Sequence, residues 1–142
     1  MLSNTTSRRI EWGDCDPAGI VFNPNFYRFF DHATTLLYEA AGWPKPVMLE
    51  TFGLAGCPLV DSHAQFRAPC AWGEDIEIHS AFVDVRRSSF DISHQLLRVG
   101  TLCVEARDTR VWTRRDDTGR IRSADIPPEV RAAFQGQGTN AG

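Results

Sequence analysis

The sequence predicts an α+β domain in which an antiparallel sheet of about five strands wraps around one long central helix. Three observations predict it. A single stretch, residues 24–41, carries apolar residues at spacings of three and four. Four long stretches after it alternate apolar and polar residues. Gly, Pro and Asp clusters separate these segments. A run of strands with one segregated helix is the α+β signature.

The elements follow in order. Residues 7–13 (SRRIEWG) alternate Ile10 and Trp12 against Arg9 and Glu11, a strand pattern. DCDPAGIVFNPN is a loop rich in turn residues. The helix then places Phe26, Phe29, Phe30, Ala33, Leu37, Ala40 and Ala41 on its apolar face. Asn23 is its expected N-cap, Pro24 its first residue, and Gly42 with Pro44 and Pro46 its stop. Asp31, His32, Thr34 and Thr35 are expected to form a polar edge. A loop is expected over 43–56, then strands over 58–68, 75–86, 89–99 and 101–114. In the second strand Ile76, Ile78 and Phe82 share a face, and in the third Phe90, Ile92, His94 and Leu96 do. In the last, Leu102, Val104 and Ala106 alternate but Val111 falls out of phase, so a bulge is expected near 107–109. DDTG at 116–119 is a turn, and Ile126-Pro127-Pro128 is expected to end regular structure.

The chain has 142 residues, enough for one domain with its own core. That domain is expected over 1–134, with 135–142 a disordered Gly-rich tail. A net charge of −3 argues against nucleic acid as a partner. No apolar run has signal-peptide or membrane-spanning length, so no membrane partner is expected and the cytoplasm is the expected location. Cys15, Cys57, Cys70 and Cys103 are widely spaced and read as free thiols. Cys15 lies between two aspartates, which raise a thiol's pKa. One helix cannot cover both sheet faces, so a homo-oligomer is expected.

His32, His63, His79 and His94 show no metal-ligand spacing, so no metal is expected. Asp61-Ser62-His63 is a triad in letters only, because strand neighbours point to opposite faces. The informative segment is Gly13-Asp14-Cys15-Asp16-Pro17-Ala18-Gly19-Ile20-Val21 followed by Phe22-Asn23-Pro24-Asn25-Phe26. On composition alone it reads as a polar turn. Placed before a helix start, it also reads as a loop that brings Asp16 to free N–H groups and the positive end of the dipole.

GDCDPAGIVFNPNF resembles the signature of the 4-hydroxybenzoyl-CoA thioesterase family. The likeness extends over about residues 8–130, through Phe29-Phe30-Asp31, Gly56-Cys57-Pro58-Leu59-Val60 and Arg86-Arg87-Ser88-Ser89-Phe90. The resemblance implies a hot-dog fold and hydrolysis of an acyl-CoA thioester without metal or other cofactor. It implies that Asp16 attacks the thioester carbonyl or activates water, and that the backbone N–H near Asn23 polarises the carbonyl. It further implies a nucleotide contact at Arg86, Arg87 and Ser88, where relatives carry a third basic residue in place of the serine. Asp31 either meets substrate from a neighbouring subunit or is a solvated helix residue. Cys57 stands where relatives have a hydroxyl near the acyl group, and Trp43 either lines that pocket or packs. Asp14 is read as a brace for the loop. The assembly implied is a dimer or tetramer with sites at the subunit interface.

Resemblance to the P-A-G form of the family's loop implies an aromatic acyl group of the 4-hydroxybenzoyl type; short- and medium-chain acyl-CoA thioesterases share a looser version. A dehydratase on this fold needs a histidine at the loop or helix start, and none is there. A non-catalytic acyl-CoA sensor tends to add a DNA-binding segment, for which the chain has neither length nor charge.

Overall fold

The computed structural model describes residues 1–137. β1 (Ser3–Arg9) leads through a 3₁₀ turn (Trp12–Asp14) and the loop to α1 (Pro24–Ala40) and α2 (Lys45–Phe52). Then come β2 (Leu54–Gly56), β3 (Leu59–Phe66), β4 (Asp75–Val85), β5 (Ser89–Arg98), β6 (Thr101–Val111), β7 (Thr113–Arg115), β8 (Ile121–Ser123) and α3 (Pro128–Phe134). Five strands form an antiparallel sheet in the order β1-β4-β5-β6-β3, and β2-β7-β8 form a small second sheet. The main sheet wraps α1, which is the expected hot-dog arrangement.

The alternation read in β4 and β5 is the alternation observed. Ile76, Ile78 and Phe82 are buried, as are Phe90, Ile92, His94 and Leu96. They meet Phe26, Phe29, Phe30, Ala33 and Leu37 of α1. Each of the Ile, Leu and Phe side chains among them contributes about 1.5–3 kcal/mol by leaving water.

Several expectations need correction. The first strand is Ser3–Arg9, not 7–13. Its polar run SNTTS pairs with β4 as an edge strand and carries no apolar signal. Ile10, wholly buried, closes that strand, and Trp12 is exposed on the 3₁₀ turn. The loop expected over 43–56 contains α2, because Pro46 sits in a helix's first turn, where its missing N–H costs nothing. Regular structure does not end at Pro128, which instead opens α3. Val130, Ala133 and Phe134 are the apolar stripe of that helix, and Phe134 stacks on Phe82 with ring centroids 4.0 Å apart. On α1, Ala40 is exposed and Tyr38 is buried in its place.

The bulge expected near 107–109 is absent from β6, which pairs with β5 in unbroken register from Glu105 to Val111. The phase break has another cause. Asp108 and Arg110 continue the inward face of Val104 and Ala106, and Asp108 is buried. A register shift does occur opposite this stretch, between Leu59 and Asp61 of β3. Asp108 belongs to a polar cluster inside the core. His94 is wholly buried, bonds Ser80 Oγ through Nδ1 at 2.7 Å, and lies 3.3 Å from Thr34 Oγ1 and 3.6 Å from Asp108 through Nε2. Ser62 donates to Asp108 at 2.7 Å. Thr34 therefore leaves the expected polar edge and turns inward.

The tail expected over 135–142 is described only as far as Gln137, whose N–H donates to Ala132 O at 2.7 Å. Residues 138–142 lie outside the described residues.

Candidate active site

The Asp-rich loop is a tightly hydrogen-bonded turn. Asp16 donates its N–H to Ile20 O at 3.0 Å, and its own carbonyl accepts the Gly19 N–H at 2.9 Å. Its carboxylate Oδ1 accepts the Ala18 N–H at 2.9 Å. Gly19 has φ +79°, the left-handed conformation that glycine adopts without Cβ strain. The turn is laced to the segment before β4, where Val21 donates to Cys70 O and Trp72 to Gly19 O. Trp12 and Trp72 meet edge to face outside it, 5.3 Å apart. Asp16 is half-buried.

Asp14 anchors this turn. Its Oδ2 accepts the Glu11 N–H at 2.8 Å and the Arg8 guanidinium at 2.9 Å. Its carbonyl accepts the Phe22 N–H and the Asn25 side-chain amide. The Cys15 thiol between the two aspartates is pushed up, first by desolvation and then by the charges of Asp14 and Asp16.

At the start of α1, Pro24 has no N–H. Asn25 donates to Phe22 O and Phe26 to Asn23 O. Asn23 is the N-cap, but its backbone is already helical (φ −46°, ψ −44°) and its side chain caps nothing. Among the described residues no backbone acceptor takes the Asn23 N–H. It lies beside a groove of about 180 Å³ lined by Ile20, Val21, Asn23, Phe26, Phe66 and Cys70 among others. A free N–H at the positive end of a 17-residue helix is suited to a carbonyl oxygen gaining negative charge.

Asp31 and Cys57 come together in a second, smaller recess of about 40 Å³. Arg110 joins them, with Nη2 3.2 Å from Asp31 Oδ1 and Nη1 donating to Cys57 O at 3.0 Å. Burial pushes the Cys57 thiol up to about 11, against the pull of Tyr38, Arg110 and Lys45. Trp43 packs against Phe52, ring centroids 5.1 Å apart. Asp31 stands eight residues beyond Asn23, about 12 Å along the helix axis. The two recesses of one chain are therefore separate.

The arginines lie at the β4–β5 turn, apart from both recesses. Arg86 donates to Ser89 Oγ at 2.8 Å and to Asp91 at 2.5 Å. Arg87 points outward and meets Asp125 at 3.1 Å. Ser88 accepts the Trp112 N–H through its carbonyl. Arg110 was not singled out from the sequence. Its signal was present, since it sits on the inward face of β6, where a charge needs a partner.

The thioesterase-like superfamily model matches residues 10–134 of the chain. The chain is 32% identical to 4-hydroxybenzoyl-CoA thioesterase of Pseudomonas sp. (strain CBS-3), over 89% of this chain and 94% of that protein. Among solved structures it is similar to an aspartate-to-asparagine mutant of 4-hydroxybenzoyl-CoA thioesterase complexed with 4-hydroxybenzoyl-CoA. That likeness has TM-score 0.87 and 30% identity, covering 94% of this chain and 99% of the other. It is also similar to a gentisyl-coenzyme A thioesterase, with TM-score 0.79 and 28% identity over 93% and 99%. With its sheet wrapped on one helix and its match running from Ile10 to Phe134, the chain belongs to the thioesterase-like superfamily and is a thioesterase of the hot-dog fold.

Proposed function

We propose that the protein hydrolyses acyl-CoA thioesters, with an aromatic acyl group of the 4-hydroxybenzoyl type preferred, and that Asp16 is its catalytic carboxylate. The observation that carries this reading is the Asp16 turn, fixed by its own hydrogen bonds just ahead of the unpaired Asn23 N–H. The relatives named for 4-hydroxybenzoyl-CoA and gentisyl-coenzyme A support the aromatic part of the reading.

A thioester carbonyl is activated and its thiolate leaves readily, so one carboxylate suffices. Asp16 either adds to the carbonyl, giving a mixed anhydride that water then opens, or takes the proton of the water that adds. On either route the Asn23 N–H receives the oxygen as it gains charge. Asp31 and Cys57 face the acyl group, and the turn of Arg86, Arg87 and Ser88 marks the nucleotide end. The separation of the two recesses along α1 supports a site completed by a second copy, with Asp31 and Cys57 of one subunit meeting Asp16 of another.

The test follows CoA release with a thiol reagent across benzoyl-type and aliphatic acyl-CoAs. Benzoyl-type substrates turned over above the aliphatic ones uphold the reading, whereas aliphatic preference refutes the aromatic part. Asp16→Asn is expected to abolish turnover while the melting temperature holds. Near-normal turnover by that variant removes Asp16 from the mechanism.

A further inference from the structure

The β4–β5 turn offers the nucleotide end of a substrate fewer cations than its sequence suggests. Arg86 is committed within the chain to Asp91, whose side chain is only 10% exposed. Arg87 is the outward one, 77% exposed, and its partner Asp125 is 66% exposed. A pair that open to water contributes about 0–1 kcal/mol and exchanges readily for a stronger anion.

A further guanidinium lies against this turn from α3. Arg131 Nη2 donates to the Arg87 carbonyl at 2.9 Å, the same oxygen that accepts the Ile126 N–H at 2.8 Å. Arg131 Nε is buried and has no hydrogen-bond partner among the described residues. Asp125 and Arg131, with Gln135 and Gln137, line a surface depression of about 390 Å³. Such a volume is within the range of small-ligand sites, roughly 300–1,000 Å³.

We propose that Arg131 is a phosphate-binding residue, which with Arg87 holds the phosphorylated nucleotide end of the acyl-CoA in the depression beside α3. Arg131 supplies the guanidinium that Arg86 withholds and that Ser88 cannot provide. The inference rests on the acyl-CoA reading above. The chemistry follows from the contacts. One Arg131 nitrogen is pinned to the backbone, so the charge is held in place before the ligand arrives and little side-chain entropy remains to be lost. Arg87 leaves Asp125 for phosphate oxygens, which take a guanidinium in paired hydrogen bonds. Gln135 and Gln137 give the rim amide donors and acceptors.

The test compares benzoyl-CoA with S-benzoylpantetheine, which has the same acyl group and arm but no nucleotide. The quantity read is the ratio of kcat/KM for the first substrate to that for the second. Arg131→Ala is expected to lower this ratio about tenfold, as befits one charge-assisted contact. Arg131→Lys is expected to recover part of the loss, and Arg86→Ala to lower the ratio less than Arg131→Ala does. Asp125→Asn, which frees Arg87 and removes a like charge from the phosphates, is expected to raise it. An unchanged ratio in Arg131→Ala overturns the assignment and leaves Arg131 a brace for the turn. If that variant does not fold, Asp125→Asn decides: a raised ratio upholds the site and an equal or lower one overturns it. Absence of turnover on benzoyl-CoA by the parent protein refutes the activity instead. The site is then read by calorimetry with adenosine 3′,5′-bisphosphate. Binding that weakens about tenfold in Arg131→Ala upholds it, and no binding by the parent protein overturns it.

Discussion

Asp14 and Asp16 are the same residue type two positions apart, and their surroundings differ. Asp14 is held by the Glu11 N–H and by Arg8, whose guanidinium also lies 4.0 Å over the Phe29 ring of α1. That contact joins β1, the turn and the helix through one carboxylate. Removing it leaves a part-buried guanidinium and a backbone N–H without their acceptor, a loss of about 2 kcal/mol. Asp14→Ala is therefore expected to lower the melting temperature by about 6 °C and turnover with it, because the Asp16 turn loses its anchor. Asp16→Asn is expected to lower turnover alone. Melting curves set beside CoA-release rates check the contrast, and equal thermal losses in both variants would defeat it. The turn that carries Asp14 and Asp16 was legible in the sequence because turn chemistry is local, while a role for Asp16 came only from the family resemblance. The contact of Arg131 was not legible, since its partner is a backbone carbonyl 44 residues away.

Between elements, the outer face of the main sheet is tied by Asp91. It accepts hydrogen bonds from Arg86 at the β4–β5 turn and from Arg107 and Thr109 of β6. Burial alone raises a carboxylate's pKa, but these donors outweigh it and hold Asp91 at about 2. The folded state therefore prefers the charged form. That preference stabilises the fold fully above the unfolded carboxylate's pKa near 4 and is lost as pH falls through about 2. Asp91→Asn is expected to cost about 2 kcal/mol at pH 7, with the gap from the parent narrowing between pH 4 and pH 2. Urea midpoints measured along that range check it, and a gap independent of pH refutes it. The strands themselves were readable because alternation survives wherever inward residues are apolar. It failed in β6, where Asp108 and Arg110 occupy inward positions with partners that only the fold supplies. The two short helices failed for a different reason. Pro46 and Pro128 stop a helix from within but are well suited to its first turn, and the Val130, Ala133, Phe134 stripe spans barely one turn.

For the whole molecule, the two free edges of the main sheet differ in kind. β1 is polar and basic along its edge (SNTTSRR). β3 exposes Leu59 at 43%, Val60 at 58% and Phe66 at 49%. An unpaired edge with that much apolar surface is a pairing hazard unless another strand or subunit covers it. The same strand ends at the candidate site, where Phe66 lies 5.6 Å from Phe26 and lines the groove beside Asn23. A second copy docked along β3 would bury the exposed apolar residues and place its own side chains at that groove. It would join the groove beside Asn23 of one subunit to the Asp31 and Cys57 recess of the next; within one chain Asn23 and Asp31 stand about 12 Å apart along the helix axis. Val60→Glu puts a charge on this edge without touching Asp16, Asn23 or the loop. It is expected to shift the protein from oligomer to monomer in sedimentation, and to remove most turnover while each chain still melts cooperatively. A monomeric Val60→Glu protein with full activity would show the site complete within one chain. An oligomer unchanged by Val60→Glu would move the interface away from β3.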